Sequence, residues 1–281
     1  HVLVMTATPI PRTLAMSLYG DLDISSIKEL PPGRITTKTL HKYDKNRLSV
    51  FKFLRDQITR GRQVYLVYPL INESEKLDYK DLMDGYESIV REFPRPDFQV
   101  SIVHGKMKSK DKDFEMNRFI NKETQILVST TVIEVGVNVP NASVMVIESA
   151  ERFGLSQLHQ LRGRVGRGNE ESYCVLMTKD KLSEESKIRV DTMVNVSDGF
   201  KLAEVDLKLR GPGDMMGTRQ SGVLKFKLAD IIYDSEILNN ARKSAYELLE
   251  SDPRLIKKEN YPIRHEISTS SNSKNLWRYI S

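Results

Sequence analysis

The sequence has little cysteine and no long apolar run. Its 281 residues include a single cysteine, Cys174, so no disulfide can form within the chain. No stretch reaches the roughly 18 consecutive apolar residues of a membrane-spanning helix. Residues 1–8 lack the basic leader that begins a signal peptide. These absences exclude a disulfide framework, and we expect a protein of the reducing cytoplasm with no membrane partner.

Positive charge is in modest excess and is unevenly distributed. The formal net charge is +5, residues 152–168 hold four arginines and no acid, and residues 201–227 hold six basic and three acidic residues. A basic balance is compatible with a nucleic-acid partner but does not require one. The sequence begins at His1 inside an apolar pattern, which we interpret as a piece of a longer protein.

Residues 37–178 alternate short apolar runs with stretches of helical spacing. The predicted strands are 37–43, 63–68, 98–103, 125–129, 144–147 and 172–177, and the predicted helices are 46–60, 79–92, 110–120 and 155–161. This alternation implies an α/β fold, with a parallel sheet covered by helices on both faces. Ligands of such sheets lie at the carboxyl ends of the strands.

The pattern changes on both sides of this region. We predict a strand at 2–5, helices at 10–19, 183–196, 200–210 and 234–251, and a linker at 29–36. The first strand and helix should bury their apolar faces against the rest of the chain or a neighbouring copy. Residues 211–222 hold four glycines and a proline, so they cannot be helical throughout. The last fifteen residues, including 268–273, should be loosely ordered.

One motif stands at the end of the helix predicted at 155–161. It runs Gln160-x-x-Gly163-Arg164-x-Gly166-Arg167. A guanidinium is permanently charged and planar, so it suits the negative charge that develops in phosphoryl transfer. We expect Arg164 and Arg167, three residues apart, to share one helical face and to reach the same phosphates. The alternative is a solvated basic helix end.

Two further motifs follow predicted strands. Ser129, Thr130 and Thr131 end one strand, and Gly136 and Asn138 follow them before Pro140. Short hydroxyl side chains and free backbone amides at a strand end suit contact with a phosphate. His104, Gly105 and Lys106 end another strand and suit the same partner. Taken alone, each could be an ordinary strand-to-loop turn.

Together, these motifs resemble the second RecA-like lobe of superfamily 2 helicases. Thr6 and Thr8 then match motif III, which couples the first lobe to the second. Residues 129–140 match motif V, and residues 160–167 match motif VI. The resemblance implies DNA contact by the residues at the two strand ends, nucleotide contact by Gly136 and Asn138, and catalytic roles for Gln160, Arg164 and Arg167.

Further residues narrow the resemblance to the RecG family of branch-migrating DNA helicases. They are Thr6 to Thr13, Leu18 to Asp23, Leu30 to Arg34, Tyr68 to Ile71, Gln157 to Gly168 and Leu209 to Asp214. The resemblance covers roughly residues 1 to 250. It implies a remnant of the first lobe and a linker at 1–34, the second lobe at 35–180, and a helical hairpin, loop and C-terminal helices at 181–281.

Residues 217–222 resemble the end of the translocation motif that RecG proteins share with the transcription-repair coupling factor. In that motif a helical hairpin leads to a loop on duplex DNA, and Arg210, Arg219 and Gln220 occupy its polar positions. Arginine can grip phosphates, and glutamine can contact a sugar or a base edge. The resemblance implies a motor that regresses stalled forks and branch-migrates DNA junctions in recombination and repair. The alternative for these residues is a flexible surface loop.

The sequence departs from the family in two respects. Asn138 stands where motif V often has Asp, so we expect a weakened ribose contact. No Gly-x-x-x-x-Gly-Lys-Ser/Thr loop occurs, and no Asp-Glu-x-His/Gln box precedes Thr6. The family implies ATP and Mg²⁺ as cofactors, yet their phosphate cradle and carboxylates would lie in a missing first lobe, beyond which would lie a wedge domain. We therefore expect this piece alone to hold neither cofactor and to lack ATPase activity.

Three alternatives remain on sequence grounds. One is the corresponding part of the transcription-repair coupling factor, although residues 18–21 and 30–33 favour RecG. Another is a DNA-binding module without catalysis, which is what we expect of this piece in isolation. An RNA helicase of the DEAD-box group is disfavoured, because it has no counterpart of residues 211–222 and its motif VI does not begin with Gln.

Overall fold

The structure is a computed structural model. It describes residues 35–69, 75–130, 139–168, 170–215 and 234–273, together with Leu3, Met5, Ser25 and Ile27. The continuous segments separate into two compact units, the first holding residues 35–209 and the second residues 210–215 and 234–273. No helix among the described residues is long and apolar enough to cross a membrane.

The first unit contains a parallel sheet of six strands. The strands are β1 (Lys38–Tyr43), β2 (Gln63–Tyr68), β3 (Val100–Val103), β4 (Ile126–Thr130), β5 (Ala142–Ile147) and β6 (Tyr173–Thr178). Their order across the sheet is β1-β6-β5-β2-β4-β3, and every neighbouring pair is parallel. This confirms the predicted sheet, and it brings the carboxyl ends of β2, β3 and β4 to one edge.

The helices follow the strands in the predicted alternation. They are α1 (Arg47–Thr59), α2 (Glu75–Glu92), α3 (Ser109–Ile120), α4 (Leu155–Arg162), α5 (Glu184–Asn195) and α6 (Gly199–Met215), then α7 (Ser235–Ser251) and α8 (Tyr261–Ser273) in the second unit. We call α5 and α6 the helical hairpin. Side chains of α1 and α2 pack against one face of the sheet, and side chains of α3 to α6 pack against the other.

Strand alternation assigns the core residues to these two faces. Along β2, Val64 and Leu66 join the cluster with α1 and α2, while Tyr65 and Val67 join the cluster with α3 to α6. All four are buried, with exposures of 2% or less. A strand with both faces buried reads as a continuous apolar run, because neither side contacts water. The prediction of helices on both faces is confirmed.

Two predictions about the ends of the chain were wrong. Leu3 and Met5, in the strand predicted at 2–5, lie outside any strand and are 81% and 84% exposed. A strand buries its side chains only beside other strands, and neither residue pairs with the sheet. Residues 268–273 are helical, not loosely ordered. There the hydroxyls of Ser268 and Thr269 donate to the His265 carbonyl, at 2.7 and 3.1 Å, in the back-bonding that lets Ser and Thr sit inside a helix.

Helix α6 also extends beyond its predicted end at Arg210. It continues through Gly211, Pro212 and Gly213 to Met215. The φ of a proline lies near the helical value, so a helix can include one, although it loses a backbone hydrogen bond and crowds the carbonyl four residues earlier. The helix predicted at 10–19 lies outside the described residues. The predicted division into 1–34, 35–180 and 181–281 stays a prediction.

Candidate nucleotide and DNA interface

Helix α4 presents the Gln160 to Arg167 motif. It begins after Gly154, whose amide donates to the Gln157 side chain at 3.1 Å, and buried Leu158 and Leu161 fix it against the sheet. Gln160 is exposed. The helix ends at Arg162, so the prediction that Arg164 and Arg167 share a helical face was wrong. Both lie on the turn after α4, where Arg164 is half-buried and Arg167 is exposed.

Gly166 is the physical reason for this turn. Its φ is +76°, a conformation that residues with a Cβ rarely adopt. A Cβ here would lie 2.7 Å from the Thr37 hydroxyl and 2.8 Å from the Ser172 hydroxyl, which are hydrogen-bonded to each other at 2.9 Å. The glycine therefore lets the turn pass close to the residues that precede β1 and β6, and this close approach sets where Arg167 leaves the backbone.

The charges of Arg164 and Arg167 also act on a residue in the centre of the sheet. Burial raises the pKa of the Tyr65 hydroxyl to about 12, and the positive charges of Arg167 and Arg164 oppose that rise. Tyr65 is on β2, a central strand. The turn after α4 therefore concentrates positive charge beside the sheet, where it can meet an anionic ligand arriving from outside the unit.

Arg162 is a functional candidate that the sequence analysis missed. Its side chain is buried, with 7% exposure. Its guanidinium donates to the carbonyls of Met193, Val196 and Ser197, at 2.9, 2.9 and 3.2 Å. These carbonyls lie at the end of α5 and in the connection to α6. A single side chain of α4 thus holds the helical hairpin at its bend.

Arg162 is a charged residue in a buried position. Burial lowers the pKa of its guanidinium, and the interaction with Cys174 acts in the opposite direction. Burial also raises the pKa of the Cys174 thiol to about 12, so this buried thiol stays protonated. The sequence does hold a sign of the role of Arg162, since this residue directly follows Leu161 and lies four residues after Leu158, on the apolar side of the helix. A charge in a buried position needs partners.

The residues predicted to touch DNA lie at the carboxyl ends of two neighbouring strands. Val103 of β3 pairs with Ser129 of β4, so His104 and Thr130 lie at the same edge. Gly105 and Lys106 are exposed. Burial, followed by the charges of Lys112 and Lys106, lowers the pKa of His104. The structure thus brings these two motifs together.

Ser129 and Thr130 differ from the others in their burial. They are 1% and 2% exposed, and their hydroxyls have no hydrogen-bond partner among the described residues. Thr131, Gly136, Asn138, Thr6, Thr8, Arg219 and Gln220 lie outside the described residues, and Arg210 is described only as a backbone position in α6. A role for the two buried hydroxyls requires a ligand that reaches into this edge.

A cavity lies beside the turn that carries the arginines. Its volume is about 470 Å³, and its walls include Val139, Pro140, Gly166 and Gly168. A Cβ on Gly168 would lie 3.2 Å from the Pro140 carbonyl. The segment just after Gly136 and Asn138 therefore lies against motif VI. No cluster of three His, Cys, Asp or Glu side chains suited to a metal occurs in the described parts of the chain.

Comparison with known families agrees with this geometry. Residues 48–169 match the helicase conserved C-terminal domain, and residues 196–281 match domain 3, C-terminal, of the ATP-dependent DNA helicase RecG. The sheet, the arginine turn and the first match together define the second RecA-like lobe of a superfamily 2 helicase.

Individual relatives specify the family further. The chain is 51% identical to the ATP-dependent DNA helicase RecG of Synechocystis sp. over 91% of its length, and 52% identical to that of Aquifex aeolicus, also over 91%. A solved structure of RecG bound to a three-way DNA junction is 46% identical, with a TM-score of 0.65 over 83% of this chain. The chain belongs to the RecG family. It spans 30% and 32% of the two relatives and 30% of the solved chain.

Proposed function

We propose that this chain is the C-terminal part of an ATP-dependent double-stranded DNA translocase that regresses stalled replication forks and branch-migrates junctions. The similarity to RecG proteins over about nine-tenths of the chain supports this function. The solved relative bound to a three-way junction supports branched DNA as the partner. The missing partners within the same polypeptide are the first helicase lobe and the wedge domain.

The turn after α4 supplies the positive half of the ATP site. Arg164 and Arg167 would meet the phosphates of an ATP held by the first lobe, and Gln160 would orient that contact. A guanidinium that meets charge developing in the transition state stabilises that state more than bound ATP. Gly136 and Asn138 would contact the ribose, since the residues that follow them lie beside Gly166 and Gly168.

Mg²⁺ would not be held by the described residues, which offer no suitable carboxylate cluster. Its ligands would belong to the first lobe, and Mg²⁺ would neutralise phosphate charge there. The chemistry of this chain is therefore confined to orienting and stabilising the phosphates through Gln160, Arg164 and Arg167. On its own the chain should hydrolyse no ATP.

DNA would bind along the edge of the sheet that is formed by the carboxyl ends of β3 and β4. His104, Gly105 and Lys106 would contact backbone phosphates, with Ser129, Thr130 and Thr131 beside them on the adjacent strand. Arg210, Arg219 and Gln220 would place a second contact on the duplex arm. Phosphate contacts of this kind fix position without reading sequence, as a translocase requires.

Arg162 carries the coupling between these two activities. It comes two residues before Arg164, and its guanidinium binds the three carbonyls at the bend of the helical hairpin. A movement of the arginine turn toward ATP would therefore pull on the hairpin that leads to the DNA loop. This contact is the observation on which the proposal of a translocase, as opposed to a passive DNA-binding module, chiefly depends.

Assays of two activities, fork regression and displacement of stalled RNA polymerase, test the proposal. The full-length protein that contains this chain should regress model forks in an ATP-dependent manner, and we expect it not to displace stalled RNA polymerase. Displacement of the polymerase without fork regression would instead assign the chain to the transcription-repair coupling factor. ATP hydrolysis by the isolated chain, abolished by Arg167→Ala, would contradict the assignment of the phosphate cradle to another lobe.

A further inference from the structure

Two hydroxyl groups lie directly against the turn that carries the arginines. The side-chain oxygens of Thr37 and Ser172 are hydrogen-bonded to each other at 2.9 Å, and we call them the hydroxyl pair. Ser172 is 1% exposed, and Thr37 is half-buried. A buried hydroxyl needs a hydrogen-bond partner, which Thr37 provides. Thr37 directly follows the linker predicted at 29–36, so the pair lies where the chain enters the first unit.

The sheet fixes the position of the hydroxyl pair. The Lys38 amide donates to the Ser172 carbonyl at 2.9 Å, directly before β1 and β6 continue as parallel neighbours. Beside this contact, the Glu171 carboxylate forms an ion pair with Lys38 at 2.8 Å and accepts a hydrogen bond from the Tyr173 hydroxyl at 2.6 Å. The strands therefore set the separation of the two hydroxyls, and the arginine turn does not.

Both oxygens of the hydroxyl pair contact Gly166. The position that a Cβ would take on Gly166 lies 2.7 Å from the Thr37 oxygen and 2.8 Å from the Ser172 oxygen. In glycine a hydrogen points in this direction, which suits weak Cα–H···O contacts. A methyl group in place of either oxygen would occupy more space and push the glycine away. Because Gly166 directly precedes Arg167, such a displacement would move the arginine.

The Arg167 side chain itself is held only loosely. Its Nε donates to the Gly163 carbonyl at 3.5 Å, which is long for a hydrogen bond of this kind. The backbone before it is held more firmly, because Val165 is fully buried in the core. The direction in which Arg167 leaves the turn is therefore set by Val165 on one side and by the hydroxyl pair on the other.

We propose that Thr37 and Ser172 are positioning residues for Arg167. The hydroxyl pair holds Gly166 in its positive-φ conformation and fixes the point from which the guanidinium reaches the phosphates of ATP. Neither residue touches ATP or DNA, so the pair acts only through Arg167, and this role rests on the proposed function. A misplacement of about 1 Å can lower turnover by about a hundredfold, so residues outside the site can control it.

Thr37→Val in the full-length protein tests this positioning. Valine has the shape of threonine, but its extra methyl group would press on Gly166 and leave the buried Ser172 hydroxyl without its partner. We expect single-turnover ATP hydrolysis to slow by roughly tenfold, with the nucleotide Kd within about twofold of the wild type. Thr37→Ser keeps the hydroxyl and should restore turnover. In an Arg167→Ala background, Thr37→Val should cause no further loss, because its effect passes through Arg167.

A second pair of buried hydroxyls supplies the matched control. The Ser101 hydroxyl donates to the Thr124 hydroxyl at 3.1 Å, and both residues are at most 1% exposed. They belong to β3 and to the residues before β4, at the opposite end of the sheet order from β1 and β6. Thr124→Val should lower the melting temperature at least as much as Thr37→Val, yet leave ATP turnover within about twofold of the wild type.

Three results would overturn the positioning role. They are turnover at the wild-type rate by Thr37→Val, a loss of turnover by Thr37→Ser or Thr124→Val as large as that by Thr37→Val, and an additive loss in the Arg167→Ala background. Normal turnover by Arg167→Ala alone would instead refute the proposed function of that arginine, and the positioning role with it.

Discussion

The guanidinium of Arg162 donates a 2.9 Å hydrogen bond to the carbonyl of Met193, in the last turn of α5. The last four carbonyls of a helix have no partner within the helix, and its C-terminal end carries partial negative charge. A buried cation suits both features. Because Arg162 belongs to the helix that leads into motif VI, the contact joins the candidate nucleotide site to the helical hairpin through one side chain.

Removal of this side chain should destabilise the chain. Arg162→Met leaves the carbonyls at the hairpin bend without their donor, so the free energy of unfolding should fall by about 2 to 4 kcal/mol. Denaturant unfolding followed by circular dichroism measures this. Arg152→Met is the matched control, since Arg152 is exposed and should tolerate the change within about 0.5 kcal/mol. If both variants lost the same free energy of unfolding, the contact between Arg162 and the hairpin carbonyls would not be stabilising.

The two glycines of motif VI should respond differently to alanine. Gly166→Ala places a Cβ against the Thr37 and Ser172 hydroxyls at a positive φ, so it should cost more than about 1 kcal/mol of stability. Gly163 has φ −69°, and its nearest contacts for a Cβ are at 3.4 Å. Gly163→Ala should therefore be neutral or slightly stabilising. The same melting temperature for both variants would refute the account of the turn.

The pH dependence of stability should reveal the turn between α7 and α8. The side chain of Asn260, followed by the Lys257 and Ile256 amides, lowers the pKa of the buried Asp252 carboxylate below its ordinary value. Its stabilising contribution is therefore complete above about pH 4, the ordinary pKa of Asp, and is lost as the pH falls through the lowered folded pKa.

Thermal unfolding from pH 7 to pH 2 measures this contribution as the gap between the wild type and Asp252→Asn. The gap should stay constant down to about pH 4 and close below it. Glu250→Gln, at an exposed position of α7, is the control and should show little gap at any pH. A gap between wild type and Asp252→Asn that widens on acidification would show that the sign is wrong.

Arg167 should matter for turnover more than for nucleotide binding. In the full-length protein, Arg167→Ala removes a charge that contacts the phosphates mainly in the transition state, so ATP turnover should fall by about 3 to 5 powers of ten. Single-turnover hydrolysis and equilibrium nucleotide binding separate the two effects. Normal turnover by Arg167→Ala would remove the catalytic role of Arg167.

Gln220→Ala should keep DNA-stimulated ATPase activity while impairing unwinding.

The sheet could be predicted from the sequence because its signal is local. The run Val64 to Tyr68 is apolar throughout, and the prediction for β2 matches its observed bounds, Gln63–Tyr68. The position of motif VI was also available, since its glycines and arginines stand together. The contacts of the residues around it could not be predicted from the local sequence.

Distant contacts decide the remainder of the site. The positive φ of Gly166 depends on Thr37 and Ser172, and the role of Arg162 depends on carbonyls more than 30 residues later in the sequence. No spacing rule within 160–167 contains these partners. The end of α8 differs for another reason, because a serine-rich run predicts a loop unless its hydroxyls bond back to the helix.

We propose that Arg162 transmits nucleotide-driven movement to the DNA loop. The most direct measurement is the number of base pairs unwound per ATP hydrolysed by the full-length protein carrying Arg162→Lys, which keeps the charge but loses the guanidinium fork. We predict ATP hydrolysis within about twofold of the wild type and a roughly tenfold loss of unwinding per ATP. Unwinding and hydrolysis that fall in the same proportion would contradict the claim.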